Sequence, residues 1–298
     1  MAETFVDGRA GIDVGLVRGL VADQFPQWAD LPVTPVEVDG WDNRTYRLGD
    51  RMTVRLPTAE GYVAAVDKES AWIPRLAPHL PVRVPPILGR GRPGRGYPYP
   101  WSVRGWLPGV TAGRAGLADL AGFAVELAGF LRALWSCDAS GGPAAGEHSW
   151  WRGCSPAHYD DEARRCLAAV RGEFDTVRAT AVWEAALAAE FKGDPVWFHG
   201  DIAPGNLLVA DGRLTAVIDF GTSGVGDPAC DLVIAWTVFD GESRRAFVDA
   251  VAQDDGMWAR ARGWALWKAM LVLEGAPAEV TAADCRRVID AVLRDPAW

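Results

Sequence analysis

The alternation of hydrophobic and polar positions predicts that the chain begins with a helix and then three strands. Apolar residues recur every three or four positions between Asp13, which suits a helix N-cap, and Pro26, which ends the run. Three short runs rich in β-branched residues follow at 33–38, 45–48 and 52–57, separated by a polar loop and a Gly-Asp turn. These runs are typical of strands joined by tight connections.

A second helical stretch and a proline-rich segment follow the third strand. The helical pattern begins at Val63, and we expect Pro74 to end or restart it. Residues 81–100 are rich in Pro, Gly and Arg, which indicates loops and turns around a short strand at 84–88. The apolar run 99–109 closes with Pro-Gly, so we interpret it as a strand that leads into a linker and place the domain boundary there.

From residue 117 onward the hydrophobic spacing is helical almost throughout. The strongest stretch runs from Leu117 to Leu134, with apolar residues every three or four positions. Residues 138–157, rich in Gly, Ser, Pro and Trp, are expected to form an insertion loop. Further helices are predicted at 159–171, 177–191, 233–239, 244–251, 257–273 and 282–293.

Composition favours a soluble globular protein. The length of 298 residues corresponds to about two domains, and 49% hydrophobic with 23% charged residues allows a sizeable core. The N-terminus is acidic and has no apolar signal core, and charged residues interrupt the apolar stretch 117–135, so we expect no membrane span. We expect a cytoplasmic monomer with no membrane partner. Five scattered cysteines without a Cys-x-x-Cys pair argue against a zinc site and a disulfide framework.

The net charge of −9 is carried by the later part of the chain. Residues 1–101 contain 12 Lys/Arg and 12 Asp/Glu, whereas residues 102–298 contain 18 and 27. Such a surface repels nucleic acid, so we expect no nucleic-acid partner, and it attracts a cationic small substrate. The alternative is that the excess charge serves only solubility.

The stretch 196–221 carries the candidate chemistry. His199, Asp201 and Asn206 follow a hydrophobic run, and Asp219 ends a second such run 13 residues after the Asn. Phosphoryl transfer from Mg·ATP needs one carboxylate to hold the acceptor hydroxyl, and an amide with a second carboxylate to hold the metal. The spacing therefore predicts a kinase that uses ATP (or GTP) and Mg²⁺.

Candidate nucleotide-binding residues lie in the strand-rich part. The polar loop 39–44, which contains Asn43, connects two strands in the arrangement that folds backbone over phosphates in kinase-like folds, although a plain hairpin is the simpler interpretation. Arg55 lies on the third strand, where a cation would meet the α- and β-phosphates, and Glu69 on the following helix could orient it. A solvated charge is the alternative for both.

The adenine base has a candidate partner at the predicted boundary. Exposed backbone groups of Ser102, Val103 and Arg104 could pair with the adenine edge. This hypothesis rests on their position in the chain and not on their side chains.

Three motifs carry a resemblance to a known family. They are H-G-D-x4-N at 199–206, I-D-F-G at 218–221 and G-D-P-A-C-D at 226–231, and together they resemble the aminoglycoside phosphotransferase family. The likeness is weak over 33–109 and strong over 196–236.

The resemblance implies an α+β class with a bilobal protein-kinase-like fold. A small N-terminal antiparallel-sheet lobe that binds nucleotide would span 1–101. A hinge linker would span 102–108, and a larger, mainly helical C-terminal lobe with the catalytic loop and substrate site would span 109–298.

Residue roles also follow from the resemblance. Asp201 matches the catalytic Asp that accepts or orients the proton of the substrate hydroxyl, a role worth about 10²–10⁴ in rate. Asn206 and Asp219 match the Mg²⁺ ligands. His199 resembles a structural His at the base of the loop.

The resemblance also gives roles to two further acidic residues. Asp227 and Asp231 resemble positions that brace the catalytic loop. For Asp231, a helix N-cap is the alternative.

The chain departs from protein kinases in ways that indicate a small acceptor. Arg55 stands where protein kinases carry Lys, and its planar fork is not equivalent to an ammonium. The phosphate loop lacks their glycines. No A-P-E motif follows Asp219, and Cys230 comes only nine positions after Gly221, too short a distance for a platform that binds a protein substrate.

The acceptor expected from charge is an aminoglycoside-type antibiotic. Trp236, Trp264 and Trp267 could supply flat walls for sugar rings, although Trp at helical spacing is more often core. Alternatives are a metabolite kinase for choline, homoserine, a ketosamine or a sugar, a macrolide kinase, and a nucleotide-binding module without turnover. Acidic residues that could pair with amines, or else form solvated helix faces, are Asp160, Asp161, Glu162, Asp240, Glu242 and Glu274.

Overall fold

A computed structural model of the protein describes residues 8–37, 39–276 and 280–295. The described chain divides into two compact units. The first contains the residues up to Gly109 together with Thr215–Gly221, and the second contains Val110–Leu214 together with the residues from Thr222 onward. The first unit therefore receives a short segment that returns late in the chain.

The first unit is built on a five-stranded antiparallel sheet. Its spatial order is β1-β2-β3-β5-β4, so the fifth strand lies between the third and the fourth. Burial alternates in the second half of β2, where Tyr46 and Leu48 are buried on either side of the half-buried Arg47. The strands are β1 (Val33–Pro35), β2 (Asn43–Leu48), β3 (Met52–Pro57), β4 (Ile87–Gly91) and β5 (Trp101–Gly105).

Two helices accompany this sheet, α1 (Val14–Gln24) and α2 (Val63–Leu76). The Asp13 carboxylate accepts the backbone N–H of Leu16, which confirms the predicted N-cap. The apolar side of α1 packs into a core with β1, β2, β3 and β5. The prediction that Pro74 ends or restarts α2 is wrong, because the helix continues through it to Leu76.

Several strand bounds differ from prediction, including that of β2, which begins two residues earlier than expected. The strand expected at 84–88 is shifted to β4, and the strand expected at 33–38 ends at Pro35, while Val38 lies outside the described residues. The predicted hinge 102–108 overlaps β5, whose pairing with β3 and β4 makes residues 102–105 part of the sheet. The first unit instead continues to Gly109.

The second unit is mainly helical and is centred on a long helix. That helix packs against four other helices and against the turn 228–233, and most of its side chains are buried. The helices are α3 (Leu120–Trp135), α4 (Asp160–Ala169), α5 (Thr176–Ala188), α6 (Ile234–Thr237), α7 (Gly241–Val251), α8 (Asp255–Leu273) and α9 (Ala282–Arg294), of which α8 is the central one. All had been predicted from hydrophobic spacing, within a few residues at each end.

Short strands flank the candidate catalytic segment. They are β6 (Val110–Thr111), β7 (Val196–Phe198), β8 (Leu207–Ala210), β9 (Arg213–Val217) and β10 (Gly224–Gly226). In the second unit β7 pairs with β10 and β6 pairs with β8. β9 carries the chain back into the first unit at Thr215. No helix in the described ranges is both long and apolar enough to cross a membrane.

Candidate active site

The catalytic segment begins where β7 ends, and its shape requires a glycine. His199 is fully buried, and its Nδ1 accepts the backbone N–H of Asp201 at 3.2 Å. Gly200 has φ +85, and a Cβ there would lie 2.9 Å from the Thr222 carbonyl oxygen. A side chain at this position would be both strained and crowded. The turn therefore projects Asp201 away from the core while His199 stays inside, which matches the structural role expected for that His.

Asp231 holds this turn in place by accepting hydrogen bonds from its backbone. Its carboxylate is fully buried and accepts the backbone N–H of His199 at 2.9 Å and that of Gly200 at 2.7 Å, with Trp135 Nε1 at 3.4 Å. Burial raises the pKa of Asp231, and these donors counteract the rise. The expectation that Asp231 braces the loop is confirmed, and the N-cap alternative is wrong.

Asp227 does not contact the loop itself but holds the segment that carries Asp231. It caps the turn 228–233 through Ala229 N–H, and it forms a buried pair with Arg260 in which Nε donates at 2.7 Å and Nη2 at 3.1 Å. Both side chains are at most 5% exposed. The pair ties the segment that carries Asp231 to α8, so Asp227 supports the loop indirectly.

Both oxygens of the Asp201 carboxylate have a partner. Asn206 Nδ2 donates to Oδ2 at 2.9 Å and also to the Asp201 backbone carbonyl, and Lys268 Nζ lies 2.9 Å from Oδ1. Partial burial raises the pKa of Asp201, but the Lys268 ammonium outweighs it, with smaller help from His199 and Arg152, and the pKa falls to about 2. The carboxylate is therefore ionised at neutral pH and held in one orientation.

Lys268 is a functional candidate that the sequence did not reveal. It lies on α8, 67 residues beyond Asp201, inside a stretch predicted only as a helix. No motif spans that separation. The one available signal was compositional, because Lys268 is one of three lysines beside 27 arginines.

The predicted nucleotide residues form a linked set in the first unit. Arg55 donates from Nη2 to Asp219 Oδ1 at 3.2 Å, and its Nη1 is 3.9 Å from Glu69 Oε1. Glu69 is held mainly by Arg104, whose Nη1 and Nη2 donate at 2.8 and 2.6 Å, while Arg104 Nε donates to Ser102 Oγ. The structure thus brings Arg55, Glu69 and Asp219 together, but the principal partner of Glu69 is Arg104.

The adenine prediction is not supported at residues 102–104. Ser102, Val103 and Arg104 lie in the middle of β5, which has strands on both edges, so their backbone groups are used within the sheet. An adenine edge needs a strand edge without a neighbour. Their contribution is instead through side chains, since Ser102 and Arg104 complete the buried cluster around Glu69. Asn43 begins β2 and is 7% exposed, inside the sheet.

Each of the two predicted metal ligands offers an oxygen of the kind that Mg²⁺ prefers. Asn206 commits its amide nitrogen to Asp201, which leaves its amide oxygen as the atom to offer a metal. Asp219 has a left-handed backbone, φ +66, and a side chain that is 33% exposed. Mg²⁺ is commonly held by one or two such oxygen ligands while phosphates and water fill its other positions. Within the described chain no three His, Cys, Asp or Glu side chains cluster as a metal site, so a larger protein cage is not indicated.

Three of the six acidic residues expected to attract amines form ion pairs with arginines of the protein, namely Asp160, Glu162 and Glu274. Asp160 pairs with Arg164 and accepts Trp183 Nε1. Glu162 and Glu274 both lie within 3.5 Å of Arg165. Asp240 instead caps α7, where Glu242 lies in the first turn. The charge excess therefore does not gather into an acidic pocket in this group of residues.

An aromatic cluster lies along α8 next to Lys268. Tyr159 stacks on Trp267 with ring centroids 4.2 Å apart and meets Trp264 edge-on at 5.9 Å. Arg152 lies over Trp267 at 5.2 Å, and the same Arg152 contributes to lowering the pKa of Asp201. Trp264 and Trp267 are at most 3% exposed and Trp236 is fully buried, so these three Trp are core, as the simpler interpretation held.

The fold and the loop geometry together define a phosphotransferase of the kinase-like α+β class. The chain belongs to the phosphotransferase enzyme family, whose model matches residues 33–264.

Similarity to individual proteins agrees with this assignment. The GDP complex of aminoglycoside 2'-phosphotransferase-IIIa is similar over 94% of this chain and 99% of its own, with a TM-score of 0.71 and 17% identity. A macrolide 2'-phosphotransferase from Brachybacterium faecium is 26% identical over 95% of this chain and 98% of its own, with a TM-score of 0.60.

A curated relative matches a shorter stretch. The aminoglycoside 3'-phosphotransferase of Escherichia coli is 36% identical over 73 residues, which are 23% of this chain and 27% of that protein. The chain thus spans about a quarter of the length of that relative.

Proposed function

We propose that the protein is a Mg²⁺-dependent O-phosphotransferase that transfers the γ-phosphate of ATP (or GTP) to a hydroxyl of a small molecule. The observation that carries the proposal is the fixed, ionised carboxylate of Asp201, with Asn206 on one oxygen and Lys268 on the other. A carboxylate on a rigid loop is the group that positions an acceptor hydroxyl in kinase-like enzymes.

The proposed reaction is a single displacement. The acceptor oxygen forms a bond to the γ-phosphorus, and the bond between that phosphorus and the β–γ bridging oxygen breaks, its electron pair leaving with the nucleoside diphosphate. The hydroxyl proton passes to Asp201 and then to water. Because the pKa of Asp201 is about 2, it is a weak base, so we assign it mainly to orienting the hydroxyl and to taking the proton late.

Three residues are proposed to act on the nucleotide. Asn206 and Asp219 would hold Mg²⁺ through their oxygens, and Arg55 would bind the α- and β-phosphates. The bound metal would neutralise charge on the phosphates. Arg55 already lies beside Asp219, so it is close to one of the proposed metal ligands.

The first candidate acceptor is an aminoglycoside-type antibiotic. Support comes from the names of two of the similar proteins and from the acidic excess of residues 102–298, which suits a polycation.

A macrolide is the second candidate, and a specific observation favours it. The carboxylate of Asp201 is flanked by the cations Lys268 and Arg152. Arg152 also lies over the buried Trp267, on which the half-buried ring of Tyr159 stacks. This setting suits a bulky, mainly apolar acceptor better than a polycation, and the macrolide enzyme from Brachybacterium faecium is 26% identical.

One assay separates these candidates. Purified protein is incubated with Mg²⁺ and either ATP or GTP, with panels of aminoglycosides, macrolides, choline, homoserine and sugars, and diphosphate release is followed together with the mass of the acceptor. We expect an acceptor mass gain of one phosphoryl group in an antibiotic arm. Turnover of a metabolite alone would overturn the antibiotic assignment, and nucleotide binding without any turnover would indicate a binding module.

A further inference from the structure

The catalytic loop lacks a cation of its own. Residues 199–206 read His-Gly-Asp-Ile-Ala-Pro-Gly-Asn, with one carboxylate and neither Lys nor Arg. A carboxylate beside the acceptor hydroxyl meets like charge when the phosphoryl group is transferred to that hydroxyl, which raises the energy of the transfer step. A cation from another part of the chain can compensate this charge beside the one that the metal would supply.

Lys268 occupies that position. Its Nζ lies 2.9 Å from Asp201 Oδ1, on the carboxylate oxygen that Asn206 does not hold. The lysine projects from α8, whose neighbouring residues Trp267 and Ala269 are at most 6% exposed, so its base is fixed by the core of the second unit. The ammonium therefore reaches Asp201 from a rigid element and not from a loop.

The exposure of the pair indicates a role other than stability. The Lys268 side chain is 43% exposed and that of Asp201 is 38% exposed. Ion pairs with this exposure contribute little to folding because solvent screens them and long side chains lose entropy. The same exposure leaves both groups accessible to a ligand.

We propose that Lys268 is a positioning residue for phosphoryl transfer, which fixes Asp201 toward the acceptor hydroxyl and offsets its charge as the phosphoryl group arrives. The inference rests on the proposed function, since it assigns a role at the same catalytic loop. A lysine suits this position because its single compact charge can hold one oxygen and leave the other to Asn206, whereas the arginine fork favours both oxygens of a carboxylate.

The kinetic test compares Lys268→Met, Lys268→Arg and the control Lys192→Met, an exposed lysine of the same unit. We expect Lys268→Met to lower kcat by about 10²-fold, as for a misplaced catalytic group, with little change in the KM for nucleotide. Lys268→Arg should recover part of the loss, and Lys192→Met should match the wild type. The thermal midpoint of Lys268→Met should stay near that of the wild type.

Other outcomes separate this inference from the proposed function. A wild-type protein that phosphorylates an acceptor, beside a Lys268→Met variant of equal kcat, overturns the inference and leaves the function standing. A fall in kcat matched by a large loss of thermal stability assigns Lys268 a structural role and also overturns it. If the wild type transfers phosphate to no acceptor, or only hydrolyses the nucleotide, both the proposed function and the inference are overturned.

Amine labelling gives a readout that does not depend on turnover. The chain has three lysines, of which Lys68 is buried and Lys192 is exposed. Brief acetylation followed by peptide mass mapping should modify Lys268 more slowly than Lys192 in the wild type. The variant Asp201→Asn should speed labelling of Lys268 and leave Lys192 unchanged. Equal rates for the two lysines in both proteins would contradict the pairing.

Discussion

Arg104 holds Glu69 through two hydrogen bonds, of 2.8 and 2.6 Å, and both side chains are only 2% exposed. From the sequence we expected Glu69 to orient Arg55, but the distance from Glu69 Oε1 to Arg55 Nη1 is 3.9 Å. Removing one member of such a buried pair leaves an uncompensated charge in the core, which costs about 3–5 kcal/mol. We expect Arg104→Met to lower the free energy of unfolding by this amount in urea titrations. Asp23→Asn, which breaks an exposed pair with Arg95, is the matched control and should change it little.

The same pair predicts a pH dependence. Burial raises the pKa of Glu69, but Arg104 outweighs it and lowers the pKa from 4.5 to about 2. The unfolded chain therefore binds the proton first as pH falls, so the stabilisation is complete above about pH 4.5 and is lost toward pH 2. In urea titrations across this window, Glu69→Gln should show a shallower loss of unfolding free energy than the wild type. Parallel curves would contradict the assignment.

Arg55 is expected to act on nucleotide and not on folding. It is 14% exposed and donates to Asp219 at 3.2 Å. Loss of charged hydrogen bonds to phosphates costs about 10- to 100-fold in affinity. We expect Arg55→Ala to raise the dissociation constant for Mg·ATP or Mg·GTP by this factor in calorimetric titrations, and Arg55→Lys to recover part of it. Unchanged affinity in Arg55→Ala would remove this residue from the phosphate site.

Asp201 should separate chemistry from nucleotide binding. Its carboxylate is fixed by Asn206 and Lys268, and no phosphate role is assigned to it. Asp201→Ala should lower kcat by about 10²–10⁴-fold, the usual contribution of a positioned acid or base, with nucleotide affinity close to that of the wild type. A variant that keeps most of its rate in the acceptor assay would refute the catalytic assignment.

How far the sequence could predict the site depends on the separation of the contacts. The turn from His199 to Asn206 was readable because its residues are neighbours in the chain and their spacing alone sets which side chain faces outward. Strands and helices could be predicted from the spacing of hydrophobic residues because that spacing is also a relationship between near neighbours in the chain. The prediction that Pro74 interrupts α2 was wrong because a proline near a helix end removes a single hydrogen bond. The packing of the remaining turns can offset that loss.

Contacts between distant residues were not readable. Arg104 reaches Glu69 across 35 residues, and Lys268 reaches Asp201 across 67. Each depends on where helix and strand meet in the core, which charge and spacing do not encode. The adenine hypothesis has a related weakness, because it assumed exposed backbone groups at Ser102–Arg104 where a strand leads into a linker, while the strand order places these residues between two neighbouring strands.

A variant of Asp231 tests whether the loop 199–206 needs the hydrogen bonds that this carboxylate accepts. It is fully buried and accepts the N–H groups of both His199 and Gly200. In Asp231→Ala those donors lose their acceptor, at a cost of about 1–3 kcal/mol for each group left unsatisfied. We expect the variant to unfold at lower urea and to lose kcat, because Asp201 no longer projects in one direction.

The control for this variant must lose stability without touching the loop. Asp254 caps α8 by accepting the N–H of Met257 at 2.8 Å, and Asp254→Ala should cost about 1 kcal/mol. If bracing matters for catalysis, kcat falls in Asp231→Ala and stays near wild type in Asp254→Ala, with both assayed well below their unfolding midpoints. An Asp231→Ala protein that is less stable but turns over at the wild-type rate would show that other contacts keep the loop in shape, such as the hydrogen bond that Thr222 Oγ1 donates to the His199 carbonyl at 3.0 Å.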